Sequence, residues 1–315
     1  MLRASLDNHE EKERLLQDFE YVAPTSVEDA VSILDEYGDR AKVLAGGTDI
    51  IVQLREGLRS ADVVVDIKKI PELVDVTFRE DGGLVLGGAV PAYRVWGDER
   101  VVAGYPSLSD ATKIIGAWQI QGRASVGGNV CNSSPAADSI PALIVEKATC
   151  HLAGPGGRRS VAAVEFCTGP GRNVLERGEL LVSLELPAPE KSAGSRYQRF
   201  IPRNEMDIAV VGAGAWLKLD ESGSTIVEAR VALAAVAPTP VVADEASGWL
   251  AGQPATLESF ARAGELAREV ASPISDLRGP REYRVHLVGV LVKRALAGAS
   301  ERARGGDRGP VMPIG

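Results

Sequence analysis

Two glycine pairs, Gly46-Gly47 and Gly127-Gly128, constrain this chain more than any other feature. The first follows a short apolar run, Lys42-Val43-Leu44-Ala45, and precedes Thr48-Asp49-Ile50, where a helix signal starts. A strand that stops at paired glycines and turns into a helix exposes backbone N–H groups with no side chain in the way. The helix start adds partial positive charge, and both features favour a bound diphosphate. Thr48 can cap the helix or bond a phosphate oxygen. Asp49 is an anion near an anion site, so its carboxylate must turn away or serve the helix start. The second turn, Ser125-Val126-Gly127-Gly128-Asn129, follows the same logic.

Taken singly, the first turn reads as an ordinary strand-to-helix connection and the second as a loop before either reads as a site. Two such turns in neighbouring α/β units can clamp one long dinucleotide in an extended pose. After the second come Asn132, Ser133, Ser134 and Asp138, short hydrogen-bonding side chains that suit either a solvated loop or the ribose and pyrimidine edge of a flavin.

The rest of the pattern predicts mixed layers. A helix capped at Ser26 and ending at Gly38 leads to a strand at 41–45, a helix at 49–56 and a strand at 62–67. A second unit has a strand at 84–90, helices at 109–115 and 137–147, strands at 148–153 and 159–165 around Gly154-Pro155-Gly156-Gly157, and a strand at 180–186. Pro187 to Gly194 reads as a linker. Beyond it, strands at 208–219 and 225–236 precede helices near 256–270 and 281–297. The expected division is an N-terminal extension at 1–18, a first domain at 19–189 with subdomains at about 19–75 and 76–189, a smaller α+β domain at 190–300, and a flexible tail at 301–315.

Composition excludes several classes. A formal charge of −8 repels phosphate backbones, which argues against nucleic acid as the main partner. No run reaches the roughly 20 apolar residues of a membrane span, and the charged start does not read as a secretory signal. A cytoplasmic protein is the expectation. Cys131, Cys150 and Cys167 form no C-x-x-C pair, and with three histidines in the chain no metal site is expected. Redox chemistry here would need an organic cofactor. One decoy is set aside. Val210-Val211-Gly212-Ala213-Gly214-Ala215-Trp216-Leu217 opens like a dinucleotide fingerprint, but Leu217 fills the slot that needs a small residue, so the segment reads as a packed strand.

At Ala45-Gly46-Gly47-Thr48-Asp49, Gln119-Ile120 with Arg123, Ser125-Val126-Gly127-Gly128-Asn129, Ser134-Pro135-Ala136-Ala137-Asp138 and Gly178-Glu179-Leu180-Leu181, the chain resembles a known family. The ordered match continues through Arg203-Asn204-Glu205-Met206-Asp207-Ile208-Ala209 and Pro273-Ile274-Ser275-Asp276-Leu277-Arg278-Gly279 with Tyr283-Arg284. The family is the FAD-binding medium subunit of the xanthine dehydrogenase and carbon monoxide dehydrogenase group of molybdenum hydroxylases.

The resemblance implies an α+β fold, with a two-subdomain FAD-binding domain of the vanillyl-alcohol oxidase-like (PCMH) type followed by the smaller C-terminal domain. It implies that Val43, Leu44, Ala45, Gly46, Gly47, Thr48, Asp49 and Ile50 wrap the FAD diphosphate. Ser125, Val126, Gly127, Gly128, Asn129 and Asn132 would hold its second side. Asp138 would lie near the ribityl chain or ring, Leu181 would pack near the cofactor, and Arg199 falls where relatives carry a Lys close to the flavin. Arg203 and Asp207 suit a surface or interdomain ion pair as well as a flavin role. No catalytic acid or base is assigned.

The implied partners are an iron–sulfur small subunit and a molybdenum-cofactor large subunit, in a dimer of heterotrimers. Electrons would pass from the clusters through FAD to NAD, quinone or oxygen. Two other readings compete, a self-contained flavoprotein oxidoreductase of the same fold and a non-catalytic assembly subunit.

Overall fold

The computed structural model describes residues 16–203 and 205–309. Most of the expected N-terminal extension, Asn204 in the motif after Arg203, and the end of the expected tail lie outside the described residues.

Three sheets organise the chain. Parallel strands β1 (Glu20–Val22), β2 (Ala41–Leu44) and β3 (Val63–Asp66) pair in the order β1-β3-β2. Helix Val27–Tyr37 covers this sheet with Val27, Ala30, Val31 and Leu34, one apolar stripe at helical spacing. Ser26 caps it by accepting from the Asp29 N–H at 3.1 Å. The second sheet is antiparallel, formed by β4 (Val76–Phe78), β5 (Leu84–Gly87), β6 (Thr149–Gly154), β7 (Gly157–Ala162) and, after the small hairpin β8 (Cys167–Gly169) and β9 (Arg172–Asn173), by β10 (Leu180–Leu186). Its order is β4-β5-β10-β6-β7, with β10 at the centre and buried almost throughout.

The C-terminal sheet runs β11 (Ala193–Phe200), β12 (Val211–Leu219), β13 (Ile226–Ala234) and β14 (Val241–Val242), antiparallel and in sequence order. Helix Arg281–Ala303 packs on one face of it, and helix Leu257–Ala267 packs against that helix. The decoy segment is central strand β12, where Val211, Ala213, Ala215 and Leu217 are fully buried in the core beneath those helices.

Three differences from the sequence reading have physical causes. The expected linker is only partly one, because β11 begins at Ala193, which is buried. The strand was hidden by its polar content, since Arg196 and Arg199 are half-buried cations whose carboxylate partners, Asp110 and Asp138, come from other elements. The second glycine pair is not a turn ahead of a helix but lies in the first turn of one, Val126–Asn132, which is capped by Ser125 and ends at Ser133 with φ +47°. The flexible tail expected from 301 does not begin there. Helix Arg281–Ala303 passes that boundary, and Arg302 is 1% exposed, with its guanidinium on both oxygens of Asp110 at 2.6 and 2.9 Å. That bond joins the last helix to helix Pro106–Lys113 of the first domain.

Candidate functional site

The two glycine turns meet through bare backbone. A Cβ placed on Gly46 would lie 2.2 Å from the Arg123 carbonyl oxygen and 2.9 Å from the Ala124 Cα, inside any tolerable contact. The first turn therefore rests on the chain that leads into the second. Gly127 is pressed in the same way against Gly88, whose oxygen would be 2.3 Å from its Cβ. Gly88 in turn lies on the Leu181 carbonyl of β10. Gly47 completes the first turn at φ +82°, a conformation L side chains rarely adopt.

Over this floor lies a cleft of about 650 Å³, within the usual range for a cofactor or small-molecule pocket. Val43, Ala45, Gly46, Gly47, Thr48, Asp49 and Ile50 line it on one side. Ser125, Gly127, Gly128, Asn129 and Asn132 line it on the other, with Leu181 between. Leu44 and Val126 do not line the cleft; both side chains are packed in the apolar cores beneath it.

The donors of the first turn are free for a ligand. Strand pairing of β2 ends at Leu44, and among the described residues no protein acceptor pairs with the N–H groups of Gly46, Gly47 or Thr48. In the second turn Ser125 Oγ accepts from the Gly128 N–H at 3.0 Å and caps the helix. Asn129 is held from behind, its Oδ1 accepting from Ser139 Oγ at 2.6 Å.

Side chains also bridge the two turns. Asp49 turns its carboxylate to Asn132, whose Nδ2 donates to Oδ1 at 3.1 Å, and Gln53 Nε2 donates to Asn132 Oδ1 at 3.4 Å. This resolves the difficulty of an anion beside an anion site, because the Asp49 charge is taken up in a cross-cleft hydrogen bond.

Asp138 and Arg199 lie one layer behind the lining. Arg199 Nη1 donates to Asp138 Oδ2 at 2.5 Å, and Tyr197 OH donates to Oδ1 at 2.9 Å. Burial pushes the Asp138 carboxyl up, against the opposing pull of Arg199 and Tyr197. Arg199 Nη2 also donates to the Ile114 carbonyl at 2.7 Å. The pair thus anchors the segment whose next two residues, Ile115 and Gly116, do line the cleft.

The C-terminal domain closes one edge. Arg203, Met206, Asp207, Ile208 and Arg278 line the cleft from the β11–β12 connection and the segment before the last helix. Asp207 accepts from Arg203 at 3.2 Å and Arg278 at 3.4 Å, so the expected ion pair forms and lies at the cleft. The Ile208 N–H and these two guanidiniums hold the Asp207 carboxyl below the usual carboxylate range.

Gly88, Gly116, Asn173 and Arg278 also reach the cleft and were missed as site residues. Gly88 was the findable one, since Gly87-Gly88 ends an apolar strand as Gly46-Gly47 does. Cys131 lines the cleft as a free thiol, and burial pushes it and Cys150 up, the latter to about 12.

Known proteins share this architecture. Residues 17–189 match the family described as FAD binding domain in molybdopterin dehydrogenase, and residues 196–299 match the CO dehydrogenase flavoprotein C-terminal domain. The chain is 34% identical over 285 residues to the carbon monoxide dehydrogenase medium chain of Hydrogenophaga pseudoflava, covering 90% of this chain and 98% of that one. It is 32% identical over 286 residues to the putative xanthine dehydrogenase FAD-binding subunit of Escherichia coli K12, covering 90% and 97%. Reconstituted CO dehydrogenase from Oligotropha carboxidovorans contains a chain that superposes with a TM-score of 0.87 at 31% identity, covering 91% of this chain and 99% of that one.

Proposed function

Since the chain belongs to the family of FAD-binding subunits of molybdenum hydroxylases, we propose that it is the electron-relay subunit of such a complex. Electrons would come from iron–sulfur clusters of a small partner subunit, and originally from a substrate oxidised in a molybdenum-bearing large subunit. They would leave to NAD, quinone or oxygen. The observation that carries this reading is the bare-backbone contact of Gly46 with Arg123 and Ala124, which sets the first glycine turn and the glycine-bearing helix start at one cleft. Among the described residues no helix is long and apolar enough to cross a membrane, and the proposal places the complex in the cytoplasm.

The residues fit FAD. Unpaired N–H groups at Gly46, Gly47 and Thr48 would take the diphosphate, with Val43 to Ile50 as one wall. Ser125, Gly127, Gly128, Asn129 and Asn132 would hold the other side, while Leu181 supplies apolar surface for a ring. Leu44 and Val126 would support these walls from the cores beneath them. Asp138 and Arg199 would act by fixing the Ile114 backbone behind the ring wall. When bound, FAD supplies a redox centre that takes up electrons singly and passes on a pair. The protein's part is to hold the dinucleotide extended, satisfy its anionic centre with neutral amides, and keep Asp49 engaged elsewhere.

The test is purification of the tagged full-length chain from its own cells. One FAD per chain, with an iron–sulfur protein and a molybdenum protein alongside, is the expected result. A colourless preparation would end the flavin reading. Full flavin without a molybdenum partner, together with turnover of an organic substrate, would favour a self-contained oxidoreductase.

A further inference from the structure

Two cations reach the backbone carbonyls of the first glycine turn. Lys68 Nζ donates to the Ala45 carbonyl oxygen at 2.9 Å, and Arg123 Nε donates to the Gly46 carbonyl oxygen at 3.2 Å. Neither side chain lines the cleft, although Ala45, Gly46 and Gly47 do. Lys68 is itself held, since its ammonium also donates to Asp66 Oδ1 at 2.7 Å. The other oxygen of Asp66 accepts from Tyr21 OH at 2.6 Å. Burial disfavours the Asp66 carboxylate, but the Lys68 and Tyr21 hydrogen bonds outweigh it and keep its carboxyl below the usual range.

Peptide planarity turns these two contacts into a statement about the cleft. All peptide bonds of the described residues are trans, so the C=O and N–H of one peptide unit point in opposite directions. A carbonyl of Ala45 drawn outward by Lys68 turns the N–H of Gly46 inward. The Gly46 carbonyl drawn to Arg123 does the same for the N–H of Gly47. These are two of the donors that have no protein acceptor. A cation on the carbonyl also polarises the peptide unit, so its N–H becomes a stronger donor to an anion on the far side.

We propose that Lys68 and Arg123 are positioning residues for the dinucleotide diphosphate, acting through the peptide units 45–46 and 46–47 without touching the ligand. Tyr21 and Asp66 extend the same device by fixing Lys68. The inference rests on the reading of the cleft as a FAD site, and the experiment separates the two.

The full-length chain, purified with the subunits that accompany it, is stripped of flavin and titrated with FAD, using flavin fluorescence as the readout. ADP and adenosine are used as competitors. In Lys68→Met and Arg123→Met, FAD and ADP each bind roughly tenfold more weakly, the size of one charge-assisted hydrogen bond. Adenosine, which lacks the diphosphate, competes as in the unmodified protein. Lys68→Arg restores most of the affinity. Arg123 is exposed, so its variant remains informative even if Lys68→Met fails to fold.

FAD affinity within twofold of the unmodified protein in Arg123→Met overturns the proposal, as does an equal loss of adenosine. An unmodified protein that takes up no FAD instead overturns the flavin assignment itself.

Discussion

Gly46 is the residue on which the cleft turns, because its missing side chain is the space occupied by the Arg123 carbonyl. Gly46→Ala forces backbone away from backbone, and overpacking of this kind costs about 1–3 kcal/mol. The expected outcome is a lower urea midpoint together with loss of FAD retention on gel filtration. Gly128→Ala is milder, since its Cβ meets only the Ser125 hydroxyl, at 2.9 Å. The sequence singled out both pairs of glycines but not which member of each faced backbone. That distinction comes from partners distant in sequence. The same limit hid Lys68, whose contact with Ala45 crosses between neighbouring strands, and the hold of Asp138 and the Ile114 carbonyl on Arg199, a layer behind the cleft lining.

Glu146 gives a pH prediction at the same scale. It is 6% exposed and accepts from Ser195 Oγ at 2.5 Å and Ser107 Oγ at 2.8 Å, yet burial pushes its carboxyl above the ordinary glutamate value despite those bonds. A carboxyl raised on folding binds its proton more tightly in the folded state. Its contribution is therefore full below the unfolded value and is lost as pH rises through the folded one. Glu146→Gln keeps the acceptor oxygen and removes the titration. Urea midpoints across pH 4 to 8 should fall less steeply in the variant, with a higher midpoint at neutral pH; an unchanged slope contradicts the assignment.

At the scale of elements, local signals were the readable ones. The strand–turn–helix–strand unit around Gly46, the hairpin at Gly154 to Gly157 and the packed strand over the decoy motif all follow from periodicity and turn residues. Strand β11 was unreadable because Arg196, Gln198 and Arg199 break its apolar pattern, and only partners on other elements let the two arginines sit half-buried there. Helix Val126–Asn132 was unreadable because two glycines and two asparagines in seven residues lower helix propensity. It exists through its cap and its packing.

The cap makes a paired test possible. Ser125→Ala and Ser26→Ala each remove one helix cap and should each cost about 1 kcal/mol. Only Ser125→Ala, at the cleft, should also weaken FAD binding. Equal flavin affinity in both variants would separate that helix start from the site.

The whole molecule is joined by charge across its domains. Asp110 accepts from Arg302 at 2.6 Å and from the Tyr197 N–H at 3.1 Å, with Arg196 3.7 Å away. Arg302→Met leaves a buried carboxylate short of its main partner, at a cost of about 3 kcal/mol. Replacing Asp110 as well, by Leu, should recover most of it, since apolar substitution of a buried pair is often neutral. Chemical denaturation of the single and double variants checks this, and a double variant as weak as the single one argues against the pair as the interdomain tie.

Residues 46 and 123 touch where the parallel-sheet unit, whose core also takes in Ala153, Leu180 and Val182 of the antiparallel sheet, meets the chain leading into helix Val126–Asn132. A dinucleotide lying along that join would act as a rivet, because whatever opens the join must first expel it. At a hundredfold excess over its dissociation constant such a guest adds about 2.7 kcal/mol to the folded state. Flavin supply would then set how long each newly made copy survives proteolysis.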